Sequence, residues 1–287
     1  MGSNRAAIVT GAGNGLGAAF AKSLARAGIS VLVNNRTHPD RAHSAQAVVD
    51  QIIAEGSVAT ADGNAVDAPG AGARLVDAAI AAFGRLDVLV LNAGISGNAV
   101  KIGAGDTALA DVMAINFFAN AALVEAALPQ LLASPAGRIV FVSSTGGLHG
   151  VRGRAAYAAS KGAMNAWALS LADELRRTNV RVNVIAPYAA TNMTAQPGRE
   201  VDDRMDPANA ADALVWLCDP STDRTGEIWV AGAGHVRAAR AMEGRTARVS
   251  ELPAGADALA AMAGAKSYPG GEAAFADFFV EATQERS

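Results

Sequence analysis

The chain has 287 residues, 51% apolar and 18% charged, a core-forming composition that excludes a disordered protein. Its 24 basic and 27 acidic residues leave a formal charge of −3 and a pI near 5.8, so no cationic field exists to hold DNA or RNA. One cysteine, Cys218, cannot close an internal disulfide, and no Cys/His spacing matches a metal site, so no metal is expected. The longest uncharged stretch, 182–198, contains Pro187 and Pro197 and is not a membrane span. A strand-like run begins within five residues of Met1, leaving no room for a signal peptide. These features predict a cytoplasmic protein with neither a membrane nor a nucleic-acid partner.

In chain order the hydrophobic pattern predicts a strand at Arg5–Thr10, a helix at Gly15–Ala27, a strand at Ile29–Asn34 and a helix at Arg41–Glu55. A strand at Val58–Ala61, a helix at Gly70–Phe83 and a strand at Leu86–Leu91 follow, then a long helix over Leu109–Ala133. The last elements are a strand at Arg138–Val142, a helix at Ala155–Thr178, a strand at Val180–Ile185, a helix at Pro207–Leu217 and a strand at Glu227–Val230. Several strands are near-continuous apolar runs, as expected when both faces of a parallel sheet are buried. Strands alternating with helices over short loops predict an α/β fold, a Rossmann-type doubly wound parallel sheet of about seven strands with helices on both faces. Residues 1–234 read as one domain. Beyond Gly234 the alternation stops, and 235–287 read as a helical extension packed on the domain or on a neighbouring subunit.

The glycines are informative where they sit. Thr10-Gly-Ala-Gly-Asn-Gly-Leu-Gly17 follows the first strand and opens the first helix, so Gly11, Asn14, Gly15, Leu16 and Gly17 are candidate contacts to a pyrophosphate. The plain alternative is a glycine-rich turn with no ligand. The second strand ends Asn34-Asn35-Arg36, with no carboxylate to accept from the ribose hydroxyls of NAD. Arg36 suits the 2′-phosphate of NADP instead, so NADP is favoured over NAD. Asp62, with Gly63 beside it and Asn64 as second choice, is placed to meet an adenine amine, or to form only a turn. Asn92 and Gly94 end the fourth strand, where small residues let the chain pass beside a nucleotide and Asn92 can cross-link strands.

Tyr157 and Lys161 are four apart on one helical face, Ser144 stands 13 residues before Tyr157, and Asn116 interrupts an apolar run where an amide is costly unless hydrogen-bonded. At these residues the sequence resembles the short-chain dehydrogenase/reductase family. The glycine loop, Asn92-Ala-Gly94, Asn116, Ser144 and the Tyr157–Lys161 pair stand in family order over about Arg5 to Gly234. A narrower likeness, carried by Ile185–Thr194, Leu214–Cys218 and Val230–His235, is to the (3R)-hydroxyacyl-CoA dehydrogenase portion of peroxisomal multifunctional enzymes type 2. The chain departs from those relatives at Asn35-Arg36, where they are expected to carry Asp, and at Tyr188, where the family usually has Gly.

The resemblance implies an NAD(P)-dependent oxidoreductase acting on a secondary alcohol or ketone, either a 3-hydroxyacyl thioester or another apolar hydroxy compound. Tyr157 would be the general acid/base; a free phenol titrates near pH 10, and bringing it down by about three units requires roughly 4 kcal/mol. Lys161 would favour the phenolate and hold the nicotinamide ribose, Ser144 would orient the substrate oxygen, and Asn116 would hold a water linking Lys161 to solvent. Pro187, Ala190 and Asn192 fall in the segment that packs on the nicotinamide carboxamide. The family also implies a homodimer or homotetramer built on the helices 109–133 and 155–173, whose surplus apolar residues are Phe117, Phe118, Leu128, Met164, Trp167 and Leu171. The alternative is an inactive nucleotide-binding sensor or scaffold with the same fold.

Overall fold

Seven runs become parallel strands, most of them apolar and shielded on both faces by helices, with the third, at the sheet edge, only partly buried. The computed structural model describes residues 5–37, 44–190 and 202–283. Its first half comprises β1 (Ala6–Val9), α1 (Gly15–Arg26), β2 (Ser30–Asn34), α2 (Ser44–Ala54), β3 (Ala59–Asp62), α3 (Ala71–Phe83) and β4 (Val88–Leu91). There follow α4 (Leu109–Met113), a π-helical turn over Ala114–Phe118, α5 (Ala119–Ala133), β5 (Arg138–Val142), the short α6 (Gly146–His149), α7 (Ala155–Glu174) and β6 (Arg181–Pro187). A 3-10 turn at Asp203–Met205, α8 (Ala208–Cys218), β7 (Glu227–Gly232) and β8 (His235–Ala239) complete the sheet.

The strand order is β3-β2-β1-β4-β5-β6-β7-β8, parallel from β3 through β7. The chain moves outward from β1 to β3, then returns to β4 on the other side of β1. That reversal makes the carboxyl ends of β1 and β4 the crevice in which such sheets bind ligands. The doubly wound parallel fold expected from the sequence is observed, with eight strands rather than about seven. The extra strand, β8, begins the stretch assigned to a helical extension. It is joined to β7 by Ala233 and Gly234 at φ +51° and +73°, two left-handed residues of the kind a tight primed turn requires.

The predicted helix over 109–133 is interrupted by the π turn that contains Asn116. Those 25 residues are long and apolar enough by length and composition to cross a membrane, an 18-residue stretch within them having a mean hydropathy of 1.5. Here Leu123, Val124, Ala127 and Leu131 are buried, and α5 lies so close to α3 that a Cβ on Gly72 would come 2.9 Å from the Ala122 carbonyl oxygen. Two residues expected on an interface are core instead: Met164 and Leu171 are buried. Trp167 packs edge-on against Phe117 and Phe141, with centroids 6.3 and 5.8 Å away. Phe118 remains 60% exposed, with Leu132 and Leu169 also exposed.

The amino ends of the strands are locked by buried ionic groups. Asp87 accepts from the Ala6 N–H at 2.9 Å, from Ser134 Oγ at 2.6 Å and from the Arg85 guanidinium at 2.7 Å. Arg5 donates to the carbonyls of Cys218 and Ala136, and Arg138 to those of Asp219, Pro220 and Thr222. Burial pushes the Cys218 thiol up to about 12. The chain divides into two compact units, Met1–Ala238 and Ala239–Ser287. In the second, α9 (Leu252–Ala260) and α10 (Gly271–Thr283) accompany a bridge between Glu243 and Lys266, and Lys266 pairs with Asp277 and Glu281 at 2.9 and 2.7 Å.

Candidate active site

The glycine loop is shaped by its neighbour, the end of β4. Gly11 sits at φ +62°, and a Cβ there would lie 2.8 Å from Ala93 Cα; one on Gly17 would lie 2.8 Å from Ala12 Cα. Asn92 Nδ2 donates to the carbonyls of Thr10 and Gly11 at 2.9 and 3.1 Å, while Thr10 Oγ1 accepts from the N–H groups of Asn92 and Ala93, both at 3.0 Å. Asn92 therefore clasps β1 to β4, as expected. Gly15 opens α1 at φ +52°, and Asn14 takes the N-cap position without a side-chain cap hydrogen bond. The first-turn N–H groups of α1, just after β1, therefore have no side-chain cap among the described residues, the arrangement a pyrophosphate satisfies. On this observation the loop fits a dinucleotide.

Beyond β2, Asn35 Nδ2 donates to Ser44 Oγ at 2.7 Å, and a Cβ on Gly13 would come 2.6 Å from Asn35 Nδ2. Arg36 is exposed just after it. Asp62 is more committed than its sequence position suggested. Its carboxylate accepts from Asn34 Nδ2 at 2.8 Å, from the Asn64 N–H at 2.9 Å and from Asn64 Nδ2 at 2.8 Å, tying the ends of β2 and β3 together. The neighbouring Gly63 carbonyl accepts from the Thr37 N–H at 3.0 Å.

At the carboxyl ends of β4 and β5 the four expected groups converge. Tyr157 and Lys161 lie on successive turns of α7, with Lys161 Nζ 5.8 Å from the Tyr157 ring centroid. Ser144 Oγ accepts from the Gly146 N–H at 3.0 Å, and it and the Tyr157 ring both border Gly146, 3.4 and 3.7 Å from where a Cβ there would sit. Lys161 is 4% exposed, and its ammonium donates to the Val142 carbonyl at 2.8 Å. Burial alone brings this lysine down to about 8. The Tyr157 phenol departs from expectation: burial, the largest influence, pushes it above its ordinary value, only partly countered by Ser144 and by the charge of Arg154. In the chain by itself the depressed phenol is absent.

Asn116 is fully buried in the π turn. Its Oδ1 accepts from the Ile95 N–H at 2.8 Å, and its Nδ2 donates to the Ile95 carbonyl and to Ser160 Oγ, both at 2.9 Å. Ser160 Oγ in turn donates to the Tyr157 carbonyl at 2.8 Å. Asn116 thus braces the loop after β4 against α7, and any water on it must use a remaining oxygen lone pair. Gly94 is the meeting point: a Cβ there would sit 3.0 Å from Asn116 Oδ1 and 3.6 Å from Lys161 Nζ. Pro187 ends β6, and the Ala190 N–H donates to the Met205 carbonyl at 2.7 Å; Asn192 lies outside the described residues.

Three neighbours escaped sequence reasoning. A Cβ on Gly146 would be 2.9 Å from Val151 Cγ2, 3.4 Å from Ser144 Oγ and 3.7 Å from Tyr157 Cε1, so Val151, Ser144 and Tyr157 all border Gly146. Gly147 presses α6 onto α7, where a Cβ would meet the Lys161 carbonyl carbon at 2.7 Å. Ser160 joins Asn116 to Tyr157. The Gly146-Gly147 pair and the placement of Ser160 beside Lys161 were the available signals.

The short chain dehydrogenase family model matches residues 5–202, and the chain belongs to that family, whose members use NAD(P). Over 80% of its length it is 36% identical to the peroxisomal multifunctional enzyme type 2 of Drosophila melanogaster, and it spans only 39% of that enzyme. Among solved structures it resembles a short chain dehydrogenase from Mycobacterium avium, with a TM-score of 0.79 and 34% identity, covering 91% of this chain and 96% of that one. An NAD+-bound xylitol dehydrogenase is also similar, with a TM-score of 0.71 and 25% identity over 81% of this chain and 99% of that one.

The gap between about 8 and the ordinary 10.5 of a lysine corresponds to about 3 kcal/mol. Because the folded value is the lower one, the unfolded chain binds more protons between these two pH values, and stability rises with pH across that window. Below it the full penalty is present. Lys161→Met should therefore stabilise the cofactor-free protein at pH 7 by about 1–3 kcal/mol in urea titration, less at pH 10, while losing turnover. A less stable variant at pH 7 would contradict the account of Lys161 as a buried, uncompensated cation.

Proposed function

We propose that this chain is an NADP-linked oxidoreductase that interconverts a secondary alcohol and a ketone, with Tyr157 as the general acid/base. The observation that carries the reading is the junction of Ser144, Tyr157 and Lys161 at the carboxyl ends of the strands, beside the uncapped α1 N-terminus. When bound, the nicotinamide gives or accepts the hydride. Tyr157 Oη gives or takes the proton of the carbinol oxygen, and Ser144 Oγ orients that oxygen by a hydrogen bond. Lys161 holds the ribose hydroxyls and lends its positive charge to the phenolate. Gly11, Gly15, Leu16 and Gly17 supply backbone to the pyrophosphate, Asn92 fixes their position, and Asp62 offers a remaining lone pair to the adenine amine. The intact Tyr157–Lys161 pair counts against a sensor that has lost the reaction.

Arg36, exposed past the end of β2, supports NADP: its guanidinium can pair with a 2′-phosphate where Asn35 offers no carboxylate to ribose hydroxyls. Val151 supports a substrate with an apolar group beside the carbinol, in keeping with a 3-hydroxyacyl thioester. Turnover of NADPH and NADH with a panel of 3-oxoacyl-CoA thioesters, ketones and steroids tests both choices.

Tyr157→Phe should reduce kcat at least 10²-fold, the scale of general acid–base catalysis, while NADPH still binds. Near-wild-type kcat in that variant would sink the assignment. Arg36→Ala should weaken NADPH by about 1–3 kcal/mol and leave NADH within twofold, the range of charge-assisted hydrogen bonds; equal losses for both would show that Arg36 does not read the phosphate. The exposed Phe118, Leu132 and Leu169 support pairing of two copies through α5 and α7. Light scattering at micromolar concentration should give at least twice the 29.0 kDa chain mass, and an active monomer would refute the dimer.

A further inference from the structure

Asn120 is a second amide inside the same apolar helix, one turn beyond Asn116. It is 1% exposed, and its Nδ2 donates to the Asn116 carbonyl at 2.7 Å. Its Oδ1 is buried with no hydrogen-bond partner among the described residues. An orphaned buried acceptor is unfavourable, and a valine at this position would remove it. The amide is therefore kept for what its donor does, and that donor serves one atom, the carbonyl of Asn116. This carbonyl belongs to the π turn, where the change of helical register disturbs the regular ladder of backbone bonds. The orientation of the Asn116 peptide also sets the direction of its side chain. That side chain has little freedom, because it must reach Ile95 on one side and Ser160 on the other, next to Gly94 and Lys161.

We infer that Asn120 is a positioning residue of the active site: by donating to the Asn116 carbonyl it fixes the π turn in the register from which Asn116 braces Ile95 against the catalytic helix. It touches no substrate and acts only through Asn116. The inference rests on the oxidoreductase reading for its catalytic consequence, and on the hydrogen bonds alone for its structural one.

A pair of variants of equal shape isolates the donor. Asn120→Thr retains a hydroxyl that, four residues on in a helix, bonds the Asn116 carbonyl by the usual back-bonding of threonine. Asn120→Val has the same outline and no donor. Amide hydrogen exchange at Ile95 in the cofactor-free protein reads the brace without any substrate, since the Ile95 N–H is held by Asn116 Oδ1. Asn120→Val should lose about tenfold in protection at Ile95 and about tenfold in kcat for NADPH oxidation with acetoacetyl-CoA, or with the best ketone of the panel, the scale of a small misplacement. KM and NADPH affinity should stay within twofold, and the melting temperature should match or exceed the wild type. Asn120→Thr should stay within about threefold of the wild type in both readouts. Wild-type protection and kcat in Asn120→Val would overturn the inference, as would equal losses in both variants that track a fall in melting temperature. If Ile95 loosens only in the valine variant while Tyr157→Phe keeps full activity, the positioning role stands and the oxidoreductase mechanism fails.

Discussion

A positive charge held out of water with no negative charge beside it governs this site. Lys161 has a backbone carbonyl and a thioether as its nearest partners, and no carboxylate among the described residues offsets its burial. The Tyr157 phenol nearby is disfavoured as an anion by the same dry surroundings. Each group lacks what the other supplies on ionising, so the two are strained separately and complementary together. A phenolate formed at Tyr157 would relieve the buried ammonium, and the ammonium would relieve the phenolate. The small residues around them serve this confinement. Gly147 lets backbone close on Lys161 where a side chain would collide with the Lys161 backbone, and Gly94 leaves little room beside Asn116 and Lys161.

The two ends of the sheet divide the work. At the amino ends, Arg5, Arg138 and Asp87 spend their hydrogen bonds on backbone and on each other's neighbours, pinning strand to strand and to the loop after α8. At the carboxyl ends, polar groups are left facing a crevice, and at the end of β2 Asn34 Oδ1 is buried without a hydrogen-bond partner among the described residues. Buried guanidinium groups left without acceptors would be costly, so the carbonyls that receive them constrain the loop after α8 closely.

How much could be read from the amino acids follows from the same physics. β1, β2 and β4 to β6 were legible because doubly buried parallel strands are continuous apolar runs, while β3 and β7, only partly buried, were legible from their place between helices. β8 was not, since His235-Val-Arg-Ala-Ala239 is short, mostly exposed and carries only Val236 and Ala238 on its apolar side. The π turn was invisible because a change of register over five residues scarcely alters the apolar pattern. Tyr157, Lys161 and Ser144 were found by spacing, and Asn116 by its intrusion into an apolar run, a signal that Asn120 carries equally. Met164 and Leu171 were assigned to a surface because α7 is apolar all round, and periodicity cannot tell which stripe faces the sheet. The bond from Asn34 to Asp62 was hidden for another reason: it depends on the register that sets Asn34 opposite Asp62 on the neighbouring strand.

The burial of Cys218 has a practical reach beyond packing. It is the chain's single thiol, it lies on the core side of α8, and its ionisation near 12 leaves almost no thiolate at neutral pH. Attack on a maleimide or a disulfide reagent must therefore wait for the sheet to part from α8. The molecule carries a native clock: the rate at which this sulfur is consumed counts openings of the dinucleotide-binding core, and ligands that grip the far end of the sheet would slow its ticking without ever coming near it.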